Sequence, residues 1–169
     1  MTDRLIAYLR ENRADFQVMA HEPVTTSEEA ARVRGTPLHQ GAKALVCRAD
    51  GQLALLVVPA DRRVDGRAFK RIFGVKDLRM VSADELLALT GLEVGAVPPI
   101  GRLMELPTYA DSGLLEQPRV SFNAGSRCVS VTIATPDYVR LAHPIVGTFA
   151  SEQNRRDGVG VSGHDSAVP

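Results

Sequence analysis

The sequence has no tryptophan, only two cysteines and no excess charge of either sign. Lysine plus arginine number 20 among 169 residues, and aspartate plus glutamate also number 20. No global field therefore attracts a polyanion to the surface, and tight nonspecific binding to nucleic acid is not expected. No apolar stretch approaches the roughly 20 residues of a membrane span, and the first residues are amphipathic, unlike a signal-peptide core. These absences predict a soluble, cytoplasmic protein that does not bind membranes.

The thiols and imidazoles show no spacing of known chemical use. Cys47 and Cys128 lie in separate strand-like segments without Cys-x-x-Cys spacing, so we interpret both as free core cysteines. A catalytic thiolate needs a partner base, and the spacing of the four histidines singles none out. No His-Glu-x-x-His or similar ligand cluster occurs either. We expect no metal and no other cofactor.

Length and apolar content set the number of domains. A chain of 169 residues with 44% apolar residues can bury one sizeable core, and it is too short for two ordinary domains. We predict one folded domain over residues 1–150. From Ser151 onward the sequence is polar with scattered valines, which predicts a disordered tail over residues 151–169.

The first half of the chain alternates helix and strand signals. Asp3 to Arg13 has helical apolar spacing, and Phe16 to Ala20 has the composition of a strand. Thr25 and Thr26 precede Glu28 and Glu29 by three residues, which predicts a capped helix that ends near Arg34. Asp50-Gly51 predicts a hairpin of strands Lys43–Arg48 and Leu53–Val58. The second of these strands is continuously apolar, so we expect both its faces to be covered at the centre of a sheet.

The second half continues this mixture. It predicts helices after Asp65, Ser82 and Thr135, and strands over Leu78–Val81, Leu103–Leu106, Val120–Asn123 and Cys128–Ile133. In the last strand, Ser130 and Thr132 are expected to face outward. No Gly-x-Gly-x-x-Gly follows the first strand, which argues against a Rossmann fold. The predicted fold class is α/β with α+β character: a single domain with a mixed, largely antiparallel β-sheet flanked by helices.

A lone lysine and a glycine-rich loop supply the candidate chemistry. Lys43 lies in the apolar run Gly41–Val46, and the loop is Thr90–Gly101. A fixed ammonium and free backbone N–H groups suit a phosphate-bearing substrate whose carbonyl must be polarised. Pro98 and Pro99 donate no hydrogen bond, so the donors must come from Gly95, Ala96, Val97 or beyond the prolines. The residues alone equally fit an edge-strand lysine and an ordinary turn after a helix.

Several ordered segments together resemble the YbaK family, which includes the editing domain of prolyl-tRNA synthetase and its free-standing relatives. The resemblance covers Phe16 to Ala142, and the segments that carry it are His21–Ala31, Gln40–Val46, Leu56–Asp61, Thr90–Gly101, Asp111 and Phe122–Gly125. It implies a mixed α/β domain that hydrolyses the ester between a wrong amino acid and the terminal adenosine of a tRNA. Alanine or cysteine on proline tRNA are the substrates it implies.

The resemblance also implies roles for particular residues. Lys43 would bind the phosphate of the terminal nucleotide, and the backbone from Gly95 to Pro99 would face the substrate carbonyl. Water assisted by the free ribose hydroxyl would attack, so the protein needs no nucleophile. The partner would be the tRNA acceptor end, with participation of a synthetase left open.

Asp111 completes the predicted catalytic set of Lys43, Gly95 and Asp111. Its carboxylate could orient a water, bind the substrate ammonium or cap a short helix. The predicted substrate-binding residues are His21, Thr25, Ala96, Val97, Pro99, Gly101, Asn123, Gly125 and Ser126. Thr25 also fits a helix cap, and the run from Asn123 to Ser126 also fits a plain turn.

Two other functions remain open from the sequence. One is a module that binds a tRNA end or a nucleotide without hydrolysis, and the other is a small-molecule hydrolase unrelated to tRNA. The balanced charge favours the latter, because a large RNA footprint is usually basic. A local basic group could still contact an acceptor end, or it could be a solvated helix face; it comprises Arg62, Arg63, Arg67, Lys70 and Arg71.

Overall fold

The computed structural model describes residues 1–153. Its helices are α1 (Thr2–Glu11), α2 (Ser27–Arg34), α3 (Gly66–Phe73), α4 (Ala83–Thr90), α5 (Ser112–Leu115) and α6 (Thr135–Ala142). Its strands are β1 (Phe16–Ala20), β2 (Ala42–Ala49), β3 (Gln52–Pro59), β4 (Arg62–Val64), β5 (Leu78–Met80), β6 (Thr108–Asp111), β7 (Arg119–Asn123), β8 (Val129–Ala134), β9 (Ile145–Gly147) and β10 (Ala150–Glu152). Two short 3-10 helices span Leu38–Gln40 and Gly101–Met104.

Within this range the strands form three sheets. A five-stranded sheet has the order β5-β2-β3-β6-β9, a three-stranded sheet has the order β1-β8-β7, and β4 pairs with β10. Only the β3–β6 and β6–β9 pairs are parallel. The predicted fold class, mixed and largely antiparallel with flanking helices, is confirmed, although its strands are divided among separate sheets.

Strand β3 is the centre of the domain, as its continuous apolar run predicts. Leu55 and Val57 face a large core that is shared with the three-stranded sheet and with α1 and α6. Leu56 and Val58 face a smaller core under α3. All four side chains are fully buried. Each such burial stabilises the fold by about 1.5–3 kcal/mol, so this one strand ties the two cores together.

Local capping chemistry fixes the helix ends that frame the cavity described below. Thr26 and Glu29 form the predicted capping box at the start of α2, and Gly35 ends the helix with a left-handed backbone, φ 65°. Ser82 caps α4 by accepting the N–H of Glu85. Each cap of this kind contributes about 1 kcal/mol and sets the direction in which the helix leaves the sheet.

The strand predicted over Leu103–Leu106 is wrong. The chain forms a 3-10 helix over Gly101–Met104, and the strand begins later, at Thr108. A short apolar run does not distinguish a strand from a helical turn, because both can bury alternate side chains. Here Leu103 fills the large core from the helical turn.

The prediction that Ser130 faces outward is also wrong. Ser130 is 2% exposed on β8, because its side of the three-stranded sheet is covered. Arg34 of α2 and His21 both hydrogen-bond its hydroxyl. The sequence pattern of β8 therefore assigned its side chains correctly to two faces. The face that carries Ser130 is nevertheless covered by other parts of the protein.

The fold extends slightly beyond the predicted boundary at residue 150, because β10 includes residues 151 and 152. Ser151 and Glu152 pair with Arg63 and Arg62 of β4. The rest of the predicted tail, residues 154–169, lies outside the described residues. Each helix within residues 1–153 is too short or too polar to cross a bilayer.

Gly101 provides a test of this packing. A Cβ at this position would lie 2.4 Å from the Leu106 carbonyl oxygen and 2.5 Å from Thr108 Oγ1. We expect Gly101→Ala to lower the free energy of unfolding by about 1–3 kcal/mol, because buried backbone must move to admit the methyl group. Thermal unfolding measures this as a Tm lowered by several degrees.

Gly66→Ala is the matched control for Gly101→Ala. Its added Cβ would meet Leu78 Cδ2 at 3.6 Å, an ordinary contact, at the first residue of α3. Alanine favours a helix over glycine, so its Tm should be unchanged or higher. Equal effects of the two substitutions would contradict the packing described for Gly101.

Candidate functional site

A cavity of about 290 Å³ lies along the open edge of β2. Strand β2 pairs with β3 over its whole length, but with β5 only over Cys47–Ala49. The stretch Ala42–Val46 therefore borders the cavity instead of a neighbouring strand. The other walls come from the start of α2, the loop around Gly95, Asn123 and α4. The cavity is thus formed by five separate parts of the chain, since Ala60 also lines it.

Lys43 lies on this wall as a half-buried cation. Its Nζ donates to the carbonyl oxygen of Arg62 at 2.5 Å. Burial lowers the pKa of Lys43, while the nearby carboxylates of Glu28 and Asp61 act in the opposite direction. Within residues 1–153, the buried Oδ1 of Asp61 has no hydrogen-bond partner. The ammonium is therefore held in place by backbone and is close to two negative groups.

The glycine loop contributes Gly95 and Val97 to the same cavity. Gly95 has φ 85°, a backbone conformation that favours glycine. Ala96 is occupied within the fold: its N–H donates to Glu93 at 3.0 Å, and its carbonyl accepts the N–H of Gly125 at 2.9 Å. In the described part of the chain, the N–H groups of Gly95 and Val97 have no hydrogen-bond acceptor. Val94 also lines the cavity with an N–H group that has no acceptor among the described residues, so the loop offers three donors at the cavity wall.

Asn123 connects the loop to α2. Its Nδ2 donates to the Gly95 carbonyl at 2.7 Å, and its Oδ1 accepts from Arg34 Nη2 at 2.6 Å. A guanidinium only donates, so it fixes which end of the Asn123 amide faces the loop. Arg34 itself lines the cavity, and burial lowers its pKa to about 10. Asn123 thereby links the position of the loop to Arg34, a cation on α2.

Ser130 and His21 support Arg34 from behind the cavity wall. Arg34 Nε donates to Ser130 Oγ at 2.8 Å, and His21 Nε2 lies 2.7 Å from the same oxygen. His21 Nδ1 lies 2.7 Å from the Glu22 carbonyl, which only accepts, so Nδ1 carries a proton. In the neutral ring, Nε2 then accepts the Ser130 hydroxyl proton. Ser130 is buried and outside the cavity wall, so this serine-histidine pair is structural.

Three hydroxyl side chains line the cavity at the start of α2: Thr25, Thr26 and Ser27. Thr25 donates its hydroxyl to Glu29 at 2.9 Å, and Thr26 accepts the N–H of Glu29 at 3.1 Å. Within residues 1–153, the Ser27 hydroxyl makes no side-chain hydrogen bond. Thr25 therefore serves the helix start and the cavity wall together, and this turn presents acceptors as well as donors.

Asp111 lies away from the cavity wall. One carboxylate oxygen accepts the N–H of Gly113 at 3.0 Å and so caps α5. The other accepts the N–H groups of Phe149 at 2.7 Å and Ala150 at 2.8 Å. Asp111 is 4% exposed. Of the three roles that the sequence left open for Asp111, these contacts match the helix cap. They also link the end of β6 to the backbone of Phe149 and Ala150.

Four other predicted substrate-binding residues lie outside the cavity wall and shape the surrounding loops. The Pro99 carbonyl accepts from the buried Tyr138 hydroxyl at 3.1 Å, and the Gly101 N–H donates to Thr108 at 3.0 Å. Gly125 has φ 80° and packs against Met1, and Ser126 accepts the N–H of Cys128 at 3.1 Å. The cavity thus contains Lys43, Thr25, Gly95, Val97 and Asn123 from the predicted set.

Sequence reasoning missed Ser27, Ala30 and Arg34 on the cavity wall. The three are spaced i, i+3 and i+7, so they share one face of α2. Arg34 was inconspicuous because a basic residue in a last helical turn commonly complements the helix dipole. One signal could have indicated Arg34: it lies four residues after Ala30 and therefore on the same face of α2. Ala30 is buried, so this face points to the interior.

The described residues offer neither a thiol nucleophile nor a metal centre at this cavity. Cys47 is fully buried, and burial raises the pKa of its thiol to about 12. Cys128 is half-buried and lies outside the wall. Within residues 1–153, no group of three or more histidine, cysteine or acidic residues is placed to hold a metal ion. The chemistry of the wall consists of cations, hydroxyls, one amide and backbone.

Residues 21–141 match the family described as the aminoacyl-tRNA editing domain. The chain belongs to this family. The resemblance to the YbaK family drawn from sequence segments is thereby confirmed, and so is the predicted enzyme class, an aminoacyl-tRNA deacylase. Every element that forms the cavity lies within the matched residues.

Sequence relatives carry matching names. The chain is 39% identical over 151 residues to the multifunctional Ser/Thr-tRNA deacylase ProXp-y of Escherichia coli K12, covering 86% of this chain and 90% of that protein. It is 37% identical over 90 residues to a proline--tRNA ligase of Solidesulfovibrio magneticus, covering 53% of this chain and 15% of the ligase. The editing domain thus recurs as most of one relative and as a small part of the other.

Solved structures share the fold. One that carries the proposed assignment of trans-editing enzyme for prolyl-tRNA synthetase is 27% identical, with a TM-score of 0.77, covering 89% of this chain and 97% of that one. A hypothetical protein that is 23% identical has a TM-score of 0.80, covering 88% and 99% of the two chains. The second likeness supports the architecture alone.

The amide of Asn123 can be tested by an isosteric change. In Asn123→Asp, a carboxylate oxygen replaces the N–H donor and faces the Gly95 carbonyl, so the loop is pushed out of place. A displacement of about 1 Å in a catalytic group costs roughly 100-fold in rate. We expect deacylase activity to fall by about that factor, measured as release of amino acid from aminoacyl-tRNA.

Asn12→Asp is the matched control. The Asn12 amide also donates to a backbone carbonyl, that of Tyr8 at 2.8 Å, but it lies at the end of α1, outside the cavity wall. Its activity should stay near that of the unsubstituted protein. If Asn123→Asp retained full activity with an unchanged Tm, the amide would have no part in placing the loop.

Proposed function

We propose that this deacylase hydrolyses the ester of serine or threonine wrongly attached to the terminal adenosine of a tRNA. The observation that carries the proposal is the meeting of Lys43, Gly95 and Asn123 at one cavity. An ammonium suits a phosphate of the tRNA end, and the free N–H groups of the loop suit the ester carbonyl. A substrate that carries both groups at a fixed separation matches this arrangement.

The proposed reaction uses the substrate's own reactivity. Water attacks the ester carbon, and the free ribose hydroxyl assists as a relay that accepts a proton from the water while it gives its own proton to the departing ribose oxygen. The bond from the carbonyl carbon to the ribose oxygen then breaks, and a proton passes to that oxygen, which yields free amino acid and deacylated tRNA. An aminoacyl ester is already activated, so the protein needs mainly to orient it and to stabilise the developing oxyanion. The described wall carries no thiol nucleophile, which fits this scheme.

Size and polarity of the cavity support a small hydroxylated amino acid. About 290 Å³ is at the low end of the roughly 300–1,000 Å³ usual for ligand pockets. Thr25, Thr26 and Ser27 provide partners for a substrate hydroxyl. A site that hydrogen-bonds such a group rejects analogues without it more strongly than a purely apolar site does. The name of the Escherichia coli relative points to the same substrates.

Alanine and cysteine on proline tRNA, which the resemblance implies, are the competing substrates. They would fit by size, but they carry no hydroxyl that could bond to the Ser27 hydroxyl, which has no side-chain hydrogen bond within residues 1–153. We propose action in trans on a released tRNA, because the relative matched over 90% of its length is itself named a deacylase. A synthetase partner belongs to the same proposal, through the family's occurrence within proline--tRNA ligases.

A deacylation panel tests the assignment. Seryl-, threonyl-, alanyl- and cysteinyl-tRNA are each incubated with the protein, with Lys43→Ala and with Lys76→Ala. We expect the seryl and threonyl esters to be hydrolysed fastest. Lys43→Ala should lower kcat/KM by about 30-fold or more, as for loss of one partner from a buried charge pair. Its Tm should change little, because the cost of burying the ammonium, which lowers its pKa, offsets the loss of the hydrogen bond to the Arg62 carbonyl.

Lys76→Ala removes the same charge from an exposed position outside the cavity and should retain full activity. Preference for alanyl- or cysteinyl-tRNA would overturn the serine and threonine assignment. Inertness toward every ester would favour a non-catalytic binding module or an unrelated hydrolase. A Lys43→Ala protein as active as Lys76→Ala would remove the proposed phosphate role of Lys43.

A further inference from the structure

Arg34 is a cation without a counter-charge among the described residues. Its hydrogen bonds go to two neutral groups, Ser130 Oγ and Asn123 Oδ1. Within residues 1–153 no carboxylate lies within salt-bridge distance of its guanidinium. A half-buried charge that has lost water without gaining an opposite charge is costly to the fold. Such a group is most simply explained by a ligand that supplies the charge.

The free end of the guanidinium lies beside Gly41. A Cβ built on Gly41 would be 3.9 Å from Arg34 Nη1. In the described residues Nη1 makes no hydrogen bond, whereas Nε and Nη2 are both occupied. Both N–H donors of Nη1 are therefore left for a ligand at the cavity wall.

The same geometry places Arg34 on the face of β2 that carries Lys43. Gly41 has an extended backbone, φ −69° and ψ 139°, so the alternation of β2 continues through it. Positions 41 and 43 therefore point to the same face, about 7 Å apart along the strand. Nη1, next to position 41, and the Lys43 side chain thus border one stretch of the cavity.

We propose that Arg34 and Lys43 together bind the phosphate on the 5′ side of the substrate's terminal adenosine. The proposal rests on the proposed function, which assigns Lys43 to that phosphate, and adds a second cation to it. Each cation can form a charge-assisted hydrogen bond of about 2.8 Å to a phosphate oxygen. A guanidinium is suited to the task, because its paired N–H groups match phosphate oxygens.

The local charge explains why one cation is insufficient. Glu28 and Asp61 lie close enough to Lys43 to affect its pKa. The two carboxylates offset part of the charge of the single ammonium and so weaken its attraction for a phosphate. Arg34 has no such neighbours, and its pKa is lowered by burial alone. It restores the balance and leaves an approaching phosphate attracted by nearby donors.

The position also disfavours the other charged part of the substrate. The α-ammonium of an aminoacyl ester would be repelled by Arg34 and Lys43, so the amino acid must point away from them. Arg34 Nη2 remains bound to Asn123, which holds the Gly95 carbonyl. The phosphate and the ester carbonyl are thereby placed at a fixed distance through one arginine and one amide.

Binding of 5′-AMP and of adenosine tests this without any hydrolysis, since only AMP carries the phosphate. Isothermal titration at up to millimolar ligand compares the unsubstituted protein with Arg34→Gln, Arg34→Lys and the control Arg32→Gln. Arg32 is exposed on the same helix and outside the cavity wall. We expect AMP to bind more tightly than adenosine, Arg34→Gln to weaken AMP by about 10-fold or more, and Arg34→Lys to keep part of the difference.

Adenosine binding should be the same in all variants, and Arg32→Gln should behave as the unsubstituted protein. Equal weakening of AMP and adenosine in Arg34→Gln would show a merely structural role through Asn123 and would overturn the proposal. So would an unsubstituted protein that fails to bind AMP more tightly than adenosine. Hydrolysis of seryl-adenosine, which lacks the phosphate, provides a kinetic test. If Arg34→Gln lowered kcat for this substrate, Arg34 would act on the ester and not on the phosphate.

The two proposals fail in different ways. A protein that hydrolyses no ester but shows an Arg34-dependent preference for AMP keeps the phosphate site and loses the proposed function. A protein that deacylates seryl-tRNA with an Arg34→Gln variant of unchanged AMP preference keeps the function and loses the second cation.

Discussion

Strands β2 and β3 pair through all eight residues of each strand, from Ala42 opposite Pro59 to Ala49 opposite Gln52. This pairing is the constraint on which the site depends. It fixes Lys43 opposite Val58, and it anchors β2 through a strand that is buried on both faces. Because β3 satisfies only one edge of β2, the other edge is free where β5 does not reach. The cavity is the space left beside that edge, so its position follows from strand register and not from a flexible loop.

The polar groups around the cavity form a connected chain instead of isolated contacts. Gly95, Asn123, Arg34, Ser130 and His21 are linked in that order by hydrogen bonds. Each link joins a different element, so the loop, α2 and the three-stranded sheet hold one another in register. Catalysis by orientation and electrostatics needs donors that do not reorganise during reaction, and a connected network of this type holds them in place.

Helix caps, hairpin turns and apolar runs predicted much of the fold, because each depends on residues that are close together in the sequence. The capping box of Thr26 and Glu29, the Asp50-Gly51 hairpin and the doubly covered strand β3 are all confirmed. The strand expected over Leu103–Leu106 was wrong, because its apolar residues satisfy a helical turn equally well. The interior position of Ser130 depends on α2 packing over β8, and periodicity within β8 carries no information about that cover.

The site was predictable only where chemistry and local sequence coincide. Lys43 and Gly95 stand out by type in their surroundings, and the structure brings both to the cavity. Asp111 stands out equally, yet its carboxylate lies away from the cavity and accepts the backbone N–H of Phe149. Arg34 resembles any basic residue at a helix end, and its role appears only when Ser130 and Asn123 arrive from distant strands. Long-range contacts therefore decide which conspicuous residues meet, and sequence spacing does not encode them.

The proposed site is compatible with the balanced net charge of the chain. Under the proposed function, the cations that matter are few and lie at the cavity, so the protein grips the end of a tRNA and not its length. Wide phosphate contacts would bind correct and incorrect aminoacyl-tRNA alike, and such uniform binding lowers KM without accelerating hydrolysis. Concentrating the charge on Lys43 and Arg34 ties binding to the one phosphate whose distance to the ester is fixed. The same contact then serves to position the scissile bond, which is the main task of the protein where the substrate's own ribose hydroxyl assists the attacking water.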